Sequence, residues 1–142
     1  MLKASVVILV VMLAFAAIYS LTALITPKAV LKSTINASIG KTLDEAQSAG
    51  YLRAITIVMR HLGGIALAQI IAGFFILFAG FRKAQKWAWF GLLIAGCVGW
   101  LIGVIVNIVI GDMTNLTLHI IGFVIFLVGV LLPVKHFFVK AQ

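Results

Sequence analysis

The chain has 142 residues, 64% of them hydrophobic and only 10% charged, where an average soluble domain carries roughly 25% charge. That composition excludes an ordinary soluble globule, and the single cysteine, Cys97, excludes an intramolecular disulfide or a thiolate metal cluster. Eleven basic residues against three acidic ones leave a formal net charge of +8; in so apolar a chain this points to lipid phosphates and topology, and nucleic acid is not an expected partner.

A hydrocarbon layer about 30 Å thick is crossed by a helix of roughly 20 apolar residues. Four stretches meet that need, at about 4–26, 54–81, 87–110 and 114–134. The expected fold is therefore an all-α membrane protein, a single domain over 1–142 built as a four-transmembrane-helix antiparallel bundle. The first span starts near Lys3 and contains Ala14-Phe15-Ala16, which imitates a signal-peptide cleavage site. Its apolar run continues to Ile25, so it reads as an uncleaved span. Thr26-Pro27 ends it, because proline cannot continue a helix.

Residues 28–40 place Val30, Leu31, Ile35 and Ile39 near helical spacing, with Lys28 and Lys32 one turn apart. This predicts a short amphipathic helix on the outer surface, stopped by Gly40. Thr42-Leu43-Asp44-Glu45 is a capping-box pattern, in which hydroxyl and carboxylate satisfy two orphan backbone donors. A helix beginning there is expected to run from about 43 into the second span, with Arg53 and Arg60 on one face. The loop 81–89 is short and basic, and its Arg82, Lys83 and Lys86, like Arg53 and Arg60, suit lipid headgroups. Counting basic residues places Lys3, Arg82, Lys83, Lys86, Lys135 and Lys140 on one side and Lys28, Lys32, Lys41 and Arg53 on the other. The positive-inside rule then predicts cytoplasmic termini in a prokaryotic cytoplasmic membrane.

In the third span every fourth residue is small or polar: Gly91, Ala95, Gly99, Gly103, Asn107 and Gly111. Lipid is as apolar as leucine, so membrane helices meet through close contact between small residues, and this glycine-zipper stripe reads as a docking surface. Each four-residue step turns the stripe by about 40°, so one straight neighbour cannot cover it all. Gly64, Ala68 and Ala72 in the second span and Gly122 and Gly129 in the fourth offer matching faces. Internal packing of the bundle and docking of a second protein both remain open.

Polar residues inside spans are functional candidates because burying them is costly. His61, Asn107 and His119 fall about 30, 30 and 24 Å from the basic ends of their helices, hence in one layer with Asp112 just above. Two inward imidazoles at one depth are a possible ligand or metal site, for a metal ion, haem b or quinone; alternatively they hydrogen-bond with Asn107, backbone or water. The expectation is that no cofactor is bound, with haem b, a metal ion or quinone as the alternative. Arg60 reads as a snorkelling side chain.

The first span ending in Ile25-Thr26-Pro27, the segment Arg60-His61-Leu62-Gly63-Gly64 and the short basic loop resemble the DoxX-like and related small four-helix prokaryotic membrane proteins. The resemblance implies a four-helix bundle and carries no catalytic motif. An enzyme needs a nucleophile, an acid–base pair or a cofactor cleft, and a transporter a polar lining or broken helix; neither pattern is evident. The expected function is that of an accessory subunit packed against a larger membrane complex and its lipids. The alternative is a redox subunit using His61 and His119.

Overall fold

The computed structural model describes residues 1–48 and 50–138, the side chains of Ser33 and Ser48 excepted. Seven α-helices follow one another: α1 (Leu2–Ile25), α2 (Pro27–Ile39), α3 (Leu43–Ser48), α4 (Leu52–Ala79), α5 (Lys86–Ile110), α6 (Met113–Leu131) and α7 (Val134–Phe138), with a 3-10 turn at Phe81–Lys83 between α4 and α5. No strand occurs among the described residues. Four helices, α1, α4, α5 and α6, are long and apolar enough to cross a membrane. Only 6% of the most apolar window of α5 is buried within the protein, so its side chains need an apolar surrounding that the chain does not provide. These features indicate an integral membrane protein by length and composition.

The boundaries follow local chemistry. Thr26 alone separates α1 from α2, with Pro27 at the first position of α2, where its missing N–H costs nothing. The expected amphipathic helix forms, and Gly40 closes it in a left-handed conformation at φ 64°. The expected capping box also forms: Thr42 N–H and Oγ1 donate to Glu45 Oε2 at 2.7 and 2.8 Å, and Glu45 N–H donates to Thr42 Oγ1 at 3.3 Å. The helix that starts there does not run on into the second span. It stops at Ser48, and Gly50 adopts φ +80° before α4 begins at Leu52, because a left-handed residue cannot propagate a right-handed helix. Helix α6 ends at Leu131, three residues before the expected boundary, as Pro133 supplies no N–H to the ladder.

The most extensive packing is between α1 and α4, then between α5 and α6 and between α1 and α6. One core cluster joins Leu9, Leu77, Phe81, Ala88, Trp89, Leu92, Phe126, Val130 and Phe137. There Trp89 Nε1–H donates to the Val130 carbonyl at 2.9 Å, and the rings of Phe81 and Phe137 lie 4.9 Å apart, within the range where aromatic pairs attract. A second cluster, formed by Leu31, Ile35, Ala46 and Leu52 with Leu43, Tyr51, Ile55 and Met59 around it, holds α2 and α3 against the start of α4. The apolar face of α2 is thus covered largely by its own chain, while Lys28 and Lys32 stay exposed.

Candidate functional site

The α5–α6 seam is built from rings seated on glycines. A Cβ at Gly96 would collide with the Phe126 ring, one at Gly122 with the Trp100 ring, and one at Gly103 with the His119 imidazole. On α5 the seam thus runs through residues 96, 100, 103 and 107, and on α6 through 119, 122 and 126, with steps that alternate between four and three. Alternating steps average 3.5 residues per turn and stay on one face, whereas uniform steps of four drift around the helix.

That drift distributes the small residues of the third span among four surroundings. Gly91 is half-buried beside Ile76 of α4, at the distance of ordinary van der Waals contact. Ala95 and Gly99 are exposed, and a Cβ at Gly99 would meet no atom within 4 Å. Gly103 and Asn107 belong to the seam, and Gly111 closes α5 at φ 73°. On α4, Ala68 and Ala72 are exposed and Gly64 faces open space. The close approach falls one residue earlier, at Gly63, where a Cβ would lie 2.9 Å from both Ser20 O and Leu24 N of α1. Gly73 faces Leu13, and Gly129 faces Ile8 and Leu9, so both also receive α1. A fixed four-residue period does not reach Gly63, Gly73 or Gly96; heptad spacing from the large residues Ile70 and Leu77 on α4, and a four-residue step from Trp100 on α5, find Gly63 and Gly96.

The polar residues also divide. His61 is exposed on α4, as are Arg53 and Arg60. His119 is half-buried in the seam, its ring edge-on to Trp100 with centroids 5.8 Å apart. Its Nδ1 lies 2.8 Å from the Asn115 carbonyl and 3.3 Å from Asn107 Nδ2. The shorter contact, to an atom that only accepts, makes Nδ1 the donor. The Asn107 amide donates instead to the Gly103 carbonyl at 2.7 Å. Each of these two polar groups therefore finds a partner within the α5–α6 pair, as buried polar groups require. Among the described residues no group of three or more His, Cys, Asp or Glu side chains is gathered to hold a metal.

Beside this seam stands Asp112, only 3% exposed. Its Oδ1 accepts from the Asn115 N–H at 3.1 Å and caps α6, and its Oδ2 accepts from Asn115 Nδ2 at 2.8 Å and from Thr34 Oγ1 of α2 at 3.4 Å. An aspartate just before a helical run is a recognisable N-cap signal; nothing local marks Thr34, 78 residues away.

At the opposite ends of the long helices, Arg82 lies 6.0 Å from the Phe78 ring centroid and Lys86 5.7 Å from that of Phe138, at the distance of cation–π attraction. Arg82, Lys83 and Lys86 are all exposed there. Lys140, counted above for orientation, lies outside the described residues. No family model, curated protein or solved structure matches the chain.

Proposed function

We propose that this protein is a small accessory subunit of a larger membrane complex, without catalytic chemistry of its own. In this reading the four apolar helices form an antiparallel bundle in a prokaryotic cytoplasmic membrane, with both termini on the cytoplasmic side. Basic residues Lys3, Arg82, Lys83, Lys86 and Lys135 favour that orientation. The likeness of layout to DoxX-like proteins is compatible with it and names no activity.

The observation that carries the proposal is the outward face of α5. Ala95 and Gly99 are exposed one turn apart with open space at Gly99, so a partner helix can approach the backbone there as closely as small-residue packing needs. Gly96 and Gly103, by contrast, already receive rings from α6. The test is Gly99→Leu with Ala95→Leu, followed by native mass spectrometry of particles extracted gently from source membranes. Wild-type protein should appear within a particle far heavier than one chain, and the double variant should be released while its helix content stays unchanged. A lone wild-type chain, or a particle that survives both substitutions, refutes the proposal.

A further inference from the structure

A groove of about 460 Å³ opens between the end of α2, the α2–α3 link and the start of α4, lined by Ile39, Lys41, Tyr51 and Ile55. We infer that it holds the head of one anionic phospholipid, with the glycerol-ester region against Ile39 and Ile55 and the phosphate at the Lys41 ammonium. The inference rests on the membrane reading of the four long helices and is independent of any partner complex.

Position is the first argument. Ile55 stands 26 residues before Phe81, hence about 39 Å along the helix from the Arg82–Lys86 turn. With that turn in one headgroup layer and about 30 Å of hydrocarbon between, the groove lies within the other headgroup layer. Apolar walls at that level face water unless the glycerol region of a lipid covers them. Ile39 is 47% exposed.

Charge selects the headgroup. Lys28, Lys32, Lys41, Arg53 and Arg60 are all exposed around this end of the molecule. Of the carboxylates there, Glu45 is engaged by Thr42 and Asp112 by Asn115 and Thr34, and Asp44 is exposed. The surplus is positive and attracts phosphate.

The experiment is native mass spectrometry of the detergent-purified chain titrated with phosphatidylglycerol or phosphatidylcholine, together with the thermal midpoint in each lipid. The wild type should retain one phosphatidylglycerol in preference to phosphatidylcholine and be stabilised by it. Lys41→Gln, a surface change that leaves the clusters intact, should lower phosphatidylglycerol retention by about fivefold, the effect of one lysine near an anionic surface. Ile55→Trp should fill the groove and displace either lipid. Equal retention of the two lipids by the wild type overturns the inference. So does wild-type retention in Lys41→Gln and Ile55→Trp alongside loss in Arg82→Gln, which would assign the bound lipid to the opposite basic turn.

Discussion

Gly63→Ala and Gly64→Ala form a matched pair that separates internal packing from open surface. Both positions lie in α4, both side chains are absent, and the two residues are neighbours. At Gly63 the new methyl would sit 2.9 Å from Ser20 O and from Leu24 N and 3.1 Å from Ala23 Cβ; at Gly64 it would meet nothing within 4 Å. The obstructing atoms at Gly63 are mostly backbone, so no rotamer relieves them. Ordinary contact begins near 3.4 Å, so α1 and α4 must part by about 0.5 Å. A radial gap of that size forfeits about a quarter of the dispersion well for each atom pair it opens, here along the most extensive helix interface of the molecule. Overpacking of this kind costs about 1–3 kcal/mol. The helix-propensity gain of Gly→Ala, about 1 kcal/mol, is common to both variants and cancels in the comparison. Equilibrium unfolding in mixed micelles at increasing dodecyl sulfate should therefore find Gly63→Ala less stable than Gly64→Ala by about 1–3 kcal/mol. Equal stabilities, or a greater loss at Gly64, would refute the assigned face of α4.

Asp112→Ala removes the cap of α6 and its link to Thr34, and should cost about 1–2 kcal/mol in the same assay with faster hydrogen exchange at the Asn115 amide; Thr34→Val, which loses only a long hydrogen bond, should cost less. The Glu45 carboxyl is held below the ordinary glutamate range chiefly because it accepts from the Thr42 N–H, then from the Thr42 hydroxyl, with Lys41 adding a smaller effect and burial opposing. A depressed folded value means that the contribution of the capping box is complete above the ordinary carboxylate range and disappears as pH falls through the lowered one. An NMR titration following the Thr42 and Glu45 amides should show that midpoint below the free glutamate value, and Glu45→Gln should abolish the transition. A midpoint at or above the free value would contradict the hydrogen bonds at Thr42.

Features that depend on neighbours along the chain are legible in the residues themselves. Runs of apolar residues set the four long helices, since length and hydropathy are local sums. The proline and glycine positions set breaks at Thr26 and Gly40, and Thr42 with Glu45 set a capping box, since each acts within four residues. Gly50 was a local signal of the same kind, and its left-handed φ separates α3 from α4 where a continuous helix was expected.

Which small residues are covered depends instead on how the helices pack. A glycine carries no record of which ring will stand on it. Gly96 received Phe126 and Gly122 received Trp100, while Gly99, equally small, was left open. The choice depends on helix phase, which large side chains on both partners settle together. For the same reason His61 and His119, similar in estimated depth, ended in different surroundings, one exposed and one beneath Trp100 and Asn107. The Thr34–Asp112 contact spans 78 residues and exists because α2 folds back over the α5–α6 turn. No local pattern encodes such a meeting; it follows from burying the Leu31 and Ile35 face against α3 and α4.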